Sequence, residues 1–266
     1  MRFSTINVDI SAHIATLTLS QPDSRNSLSE TSLREMIEAL DWLRTRDEVR
    51  ALILTGAGQA FCSGADLGKM DAVDIDGLSL GERAAATMDA LANPLILALQ
   101  QFPLPVVAAV NGVAAGGGVA LALAADIVIA ACSSYFLTPF LPRLGIVPDM
   151  GATWFLPQRI GRARSLGLLL LGERLSAQKA QEWGLIWACV EDDALLDEAR
   201  TIAGRLARIP PHSALEARRA LDAAGSQDLV AQLGYERDRQ RELLDSPAFK
   251  EGVKAFFEKR APVFER

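Results

Sequence analysis

One carboxylate stands alone at residue 149. Within TPFLPRLGIVPDMGATW, Asp149 is the only acidic side chain, and it follows an apolar run and precedes a glycine and small residues. An aspartate in that setting has two uses. It can cap the helix expected over MGATWFLP, a role asparagine or serine would fill equally well. It can also act as a base toward a ligand, because an apolar pocket raises a carboxyl pKa and makes the group a better proton acceptor. The two uses are not exclusive.

Two stretches of small residues carry a second kind of chemistry. GAGQAFCSGADL follows the apolar run ALILT, and NGVAAGGG follows PVVAAV. Without bulky side chains, the backbone N–H groups of two turns can reach the same ligand atom. If each turn opens a helix, the positive end of that helix adds to the effect. Two such donors stabilise negative charge growing on a carbonyl oxygen. Ala65 and Gly117 are the candidate donors. Small residues also permit tight packing of helix on sheet, and spacing alone leaves both readings open.

Other motifs dissolve on inspection. GLSLG at 77–81 matches a nucleophile-elbow pattern, but an irregular acidic stretch precedes Ser79 where a strand is required. The only histidines are His13, in a hairpin, and His212, after two prolines. GADLGKM is one residue short of a phosphate loop and has Met70 where a magnesium-binding hydroxyl belongs. The glycine triplet 116–118 lacks the rest of a dinucleotide-binding pattern. No metal-ligand spacing occurs, so no cofactor is expected.

The elements that must position these residues follow from periodicity. INVDISAHIATLTL alternates as a hairpin does. SETSLREMIEALDWLRTR puts Leu33, Met36, Ile37, Leu40 and Leu43 on one helical stripe with Ser29 as N-cap. ALILT, PVVAAV and IVIAA read as buried parallel strands, each of the first two followed by a glycine loop and a helix. Beyond residue 158 the pattern is almost entirely helical. An α/β fold is expected, with an acidic segment at 68–90 that moves on ligand binding.

The chain has 266 residues, half of them hydrophobic, and a net charge of −6. That charge argues against a nucleic-acid or anionic-membrane surface as the main partner, while leaving room for a small polyanion held by local cations. Cys62, Cys132 and Cys189 are far apart in sequence and read as small buried hydrophobes in a reducing cytoplasm. The opening MRFSTINVDI has no signal-like apolar core, and no apolar run is long enough to span a membrane.

LTGAGQAFCSGADL, then AVNGVAAGGGVALALAADIVIA, then LGIVPDMGATWFLPQRIG and LSAQKAQEWGLI resemble, in that order, the enoyl-CoA hydratase/isomerase (crotonase) family. The resemblance extends to the terminal EGVKAFFEKRAPVF. It implies a crotonase-type spiral of repeated ββα units over residues 1–195 and a helical trimerisation region over 196–266. The implied assembly is a trimer or a dimer of trimers, and the implied ligand is an acyl-coenzyme A thioester, whose coenzyme A is part of the substrate. The family's two oxyanion donors fall on Ala65 and Gly117, and Asp66, Leu67, Gly116 and Leu141 are expected to line the substrate.

Family hydratases activate water with two glutamates, whose positions correspond here to Ala120 and Leu141. Neither can accept a proton. The PD that precedes xGxTW marks family members that isomerise, with the aspartate facing the acyl chain, so Asp149 is the expected single acid/base. Arg25, near the first hairpin, and Phe256 with Lys259, near the C-terminus, match positions that bind coenzyme A, the latter pair often across a subunit boundary. Leu67, Met70, Phe140 and Trp154 are the expected apolar walls.

Overall fold

A computed structural model describes residues 2–66 and 77–265. The N-terminal hairpin pairs β1 (Ile6–Ser11) antiparallel with β2 (Ile14–Leu19), Ile6 opposite Leu19. Its two-residue turn, Ala12–His13, has positive φ at both positions, the twist that suits a tight hairpin. Helix α1 (Glu30–Arg44) starts at Ser29, whose hydroxyl accepts from the Ser32 N–H while the Ser32 hydroxyl accepts from the Ser29 N–H. Such a cap is worth about 1 kcal/mol. Leu33, Met36, Leu40 and Leu43 are buried and Ile37 is half-buried, as the stripe predicts.

Strands β3 (Ala51–Gly56), β5 (Val106–Val110), β7 (Ile127–Ala131) and β10 (Ala188–Val190) continue the sheet in parallel, giving the order β1-β2-β3-β5-β7-β10. The central strands are buried on both faces, which is why their sequences are apolar throughout. Leu52, Leu54, Val106 and Ala108 join the larger core with α1. Ala51, Ile53, Val107 and Ala109 face the other way, against Leu195, Ala199, Ile202 and Ala203 of α7 (Leu195–Leu206). Alternate residues thus serve two cores.

Each of the two glycine-rich stretches contains a short strand that periodicity did not reveal, and a third follows β7. β4 (Ala60–Cys62), β6 (Val113–Ala115) and β8 (Tyr135–Leu137) pair in parallel, and β9 (Leu175–Ser176) closes this second sheet antiparallel to β8. The repeat is therefore strand–strand–helix, the ββα spiral that the resemblance implies. The helices of the three turns are α2 (Leu80–Thr87) running through a π-helical turn (Met88–Ala92) into α3 (Asn93–Gln100), then α4 (Gly117–Leu123), then α5 (Ala152–Leu171). Buried Asn26 and half-buried Asn111 brace the first corner, both donating to the Ala60 carbonyl, at 2.8 and 3.2 Å.

The remainder is helical, as expected: α6 (Ala177–Trp183), α7, α8 (Ser213–Ser226), α9 (Leu229–Leu244) and α10 (Pro247–Glu258). Ser79 of the GLSLG stretch is the N-cap of α2, its hydroxyl accepting from the Glu82 N–H, so its place is structural. Of segment 68–90, residues 77–90 form a turn and helix. The rest, including Met70, lies outside the described residues. Among the described residues, no helix is long and apolar enough to cross a membrane.

Candidate active site

The two small-residue turns meet backbone to backbone. A Cβ on Gly64 would stand 2.7 Å from the Ala115 carbonyl oxygen and 3.1 Å from the Gly117 nitrogen. One on Gly118 would stand 2.3 Å from the Cys62 carbonyl oxygen. Only glycine allows this approach, so the turn that carries Ala65 and the turn that carries Gly117 lie against each other.

Gly117 is the first residue of α4, and its N–H therefore has no carbonyl partner within the helix. Ala65 is exposed and forms a parallel bridge with Leu28. The segment after Asp66 lies outside the described residues, Leu67 with it, and so does any helix start there; Asp66 itself is half-buried. Residues 24–28 are strapped to the first turn. The Ser63 N–H donates to the Arg25 carbonyl at 3.1 Å, and the Leu28 N–H donates to the Gly64 carbonyl at 2.8 Å. The backbone of Arg25 is thereby fixed beside the Ala65 turn, with its side chain exposed.

Asp149 reaches the same place from another element. The chain reverses after Pro148 through Met150 and Gly151, both with positive φ, and the Ala152 N–H donates to the Asp149 carbonyl at 3.0 Å. The N-cap of α5 is Gly151, with no side-chain cap. The helix-cap reading of the Asp149 side chain is therefore corrected: its main chain closes the turn, while its carboxylate is left for something else. Oδ1 is buried and has no hydrogen-bond partner among the described residues. It lies 3.7 Å from where a Cβ on Gly117 would stand. Burial pushes the carboxyl above the usual aspartate value, partly opposed by a hydrogen bond from its own backbone.

Apolar groups close around this point. Met150 Sδ would be 2.7 Å and Leu28 Cδ1 3.4 Å from a Cβ on Gly117, and Phe140 Cζ 3.6 Å from one on Gly116. Phe140 is the expected wall that the structure places here. Met150 and Leu28 were not legible as site residues, because a lone methionine or leucine reads equally well as core. Trp154 and Leu141 are exposed, Trp154 on the first turn of α5 and Leu141 in a π-helical turn at Phe140–Leu144. Ala120 is wholly buried inside α4. Phe256 and Lys259 sit exposed at the end of α10, which packs on α9.

Arg159 ties the two working elements together from behind. This residue of α5 donates to the carbonyls of Leu123 and Ala125, at the end of α4, at 2.5 and 3.1 Å, and to that of Leu185 at 3.3 Å. Burial pushes its guanidinium down to about 10, with Asp126 opposing. Among the described residues, no cluster of His, Cys, Asp and Glu is arranged to hold a metal ion.

Two amides at adjoining backbone turns and a carboxylate with one unpartnered oxygen in an apolar wall are suited to a ligand with a polarisable carbonyl and an acidic C–H beside it. The family model described as enoyl-CoA hydratase/isomerase matches residues 9–266. The 1,2-epoxyphenylacetyl-CoA isomerase of Escherichia coli (strain K12) is 43% identical over 251 residues, 94% of each chain. A probable enoyl-CoA hydratase of Rhodobacter capsulatus is 44% identical over 264 residues, 99% of each. The crystal structure of an enoyl-CoA hydratase from Bacillus anthracis superposes with a TM-score of 0.90 at 33% identity, covering 98% of this chain and 99% of that one. This chain belongs to the enoyl-CoA hydratase/isomerase family, with the fold of its solved members.

Proposed function

We propose that this enzyme isomerises acyl-CoA thioesters by way of an enolate, with Asp149 as its one acid/base group. The N–H groups of Ala65 and Gly117 bind the thioester oxygen. Asp149 takes a proton from the carbon next to the carbonyl, and the C–H electrons move into an enolate whose oxygen the two amides hold. In a 3-enoyl chain, Asp149 then returns the proton two carbons away and the double bond shifts into conjugation. In an epoxidised phenylacetyl group, the enolate opens the adjoining C–O bond on the way to a seven-membered oxepin. No water is activated in either route. Arg25, and Phe256 with Lys259 from a neighbouring copy in a trimer or hexamer, meet the coenzyme A, while Asp66, Leu67, Gly116, Leu141 and Phe140 border the acyl group.

The observation that carries this reading is the buried, unpartnered Oδ1 of Asp149 beside Gly117. A buried polar atom without a partner is uncommon, and a reacting C–H is what it lacks. The relative in Escherichia coli, an isomerase by name, supports the same direction. The name of the Rhodobacter capsulatus relative favours a hydratase. Against that stand Ala120 and Leu141, where water-activating carboxylates are expected.

A panel of 2-enoyl-, 3-enoyl- and epoxyphenylacetyl-CoA esters, assayed in parallel for isomerisation and hydration, decides the matter. Isomerisation at least about 10²-fold faster than hydration is expected, the rate span one acid–base group typically provides. Hydration of crotonyl-CoA at a comparable rate overturns the reading.

A further inference from the structure

The three cysteines are not equivalent. Cys62 is wholly buried in β4. Cys132 follows β7 directly and Cys189 lies in β10, the neighbouring strand, and both are half-buried. Their sulfurs are 2.7 Å apart. The expectation of three separate, buried cysteines is thus corrected for this pair, because parallel pairing of Cys189 with Ala130 brings distant sequence positions together. The Cys132 N–H donates to the Val190 carbonyl at 2.8 Å, which holds the two backbones in register. Cys132 lies two positions beyond Ala130 in the ladder, so the side chains of Cys132 and Cys189 share one face of the sheet, where their sulfurs meet.

We propose that Cys132 and Cys189 are a redox-reactive pair, a covalent modification site that reacts with a low-molecular-weight disulfide and closes to an intrachain disulfide. The Cys132 thiolate attacks one sulfur of the reagent, whose S–S bond breaks and releases one thiol. The Cys189 thiolate then attacks the mixed disulfide at the Cys132 sulfur and releases the second thiol. The protein loses two electrons and two protons; the reagent gains both as two thiols. The Cys189 thiol is pushed up to about 12, by burial first, then by Cys132 and the charges of Glu191 and Asp192. Closure quickens with pH, as more of the Cys189 thiol becomes thiolate.

The bridge would tie off the segment that matters most to the site. Between Cys132 and Cys189 run β8, Phe140, the Asp149 turn and α5. Cross-linking staples both ends of that span to one sheet.

The test treats the whole protein with oxidised glutathione at pH 7 and 9, followed by alkylation and peptide mapping without reduction. The expected result is a peptide joining Cys132 to Cys189, two of the three thiols lost, faster closure at pH 9, and reversal by dithiothreitol. Amide exchange across residues 133–188 slows on oxidation. In Cys189→Ser, a single glutathione adduct accumulates on Cys132. Three thiols still alkylatable in the treated wild type, a bridge involving Cys62, or stable glutathione adducts without closure would each overturn the proposal.

Discussion

Asp149 Oδ1 lies 3.7 Å from the point where a Cβ on Gly117 would stand, so the acid of one ββα turn faces the helix start of the previous one. On the proposed mechanism those two positions act on neighbouring atoms of one substrate. Asp149→Asn keeps shape and removes the base. It is expected to lower kcat by about 10²–10⁴-fold while KM changes little. Full activity in that variant sinks the assignment.

The same burial gives a pH signature. The ordinary aspartate value is 3.8, and burial raises it in the folded protein. The rate should therefore fall with acid at a pH above 3.8, as the base protonates. Stability runs the other way. Between 3.8 and the raised value the folded protein holds a proton the unfolded chain has lost, so stability declines as pH rises through that window and stays lower above it. Asp149→Asn, neutral throughout, should melt higher at neutral pH, by about 2–4 °C for each kcal/mol recovered. Thermal scans of both proteins from pH 4 to 8 check it.

Gly117→Ala and Gly118→Ala separate chemistry from folding. At 117 the new methyl meets Met150 Sδ, the end of a flexible side chain, and points toward Asp149. That variant should fold and lose about 10²–10³-fold in rate, the usual cost of a displaced oxyanion donor. At 118 it meets the Cys62 carbonyl, backbone that cannot swing aside. A loss of about 3 kcal/mol or more is expected there. Equal stability losses at the two sites would contradict the geometry.

Arg159→Lys tests the brace between α4 and α5. A lysine cannot reach three carbonyls with one ammonium group. Stability should fall by about 2–4 kcal/mol. Because the brace joins the elements that carry Gly117 and Asp149, kcat should drop about tenfold with KM nearly constant. A change in KM alone would mean that Arg159 does not set their spacing.

Glu35 of α1 offers a control on a carboxylate outside the proposed mechanism. Burial pushes its carboxyl up, but hydrogen bonds from the hydroxyls and N–H groups of Thr5 and Ser4 outweigh that and hold it at about 2, against an ordinary 4.5. Its contribution is present above 4.5 and is lost as pH falls toward 2. Urea midpoints of wild type and Glu35→Gln should differ at neutral pH and converge in acid.

Much of this was legible in the chain. The α1 stripe and its Ser29 cap, the buried strands and the helical C-terminal region follow from local periodicity and capping. The strands β4, β6 and β8 did not, because three residues are too few to show an alternation, and the glycines around β4 and β6 look like loop. The left-handed turn at Met150–Gly151 also escaped, since nothing in the residue type of methionine predicts a positive φ. That turn is what frees the Asp149 carboxylate from capping α5. The contact between Cys132 and Cys189 depends on strand order, which no local pattern contains. Only the resemblance points to Phe256 and Lys259, because an exposed aromatic and an exposed lysine at the end of α10 carry no local signal of a ligand.

Gly64 and Gly118 let two stretches of main chain touch, and a lasting property follows from it. On the proposed mechanism the anion-holding half of the centre is made of peptide groups, which every amino acid carries. Drift in side-chain identity at Ala65 leaves it standing, whereas replacement at 120, 141 or 149 alters which proton moves and whether water takes part. On that mechanism, exchanges at these side chains change the transformation without altering the peptide groups that hold the thioester.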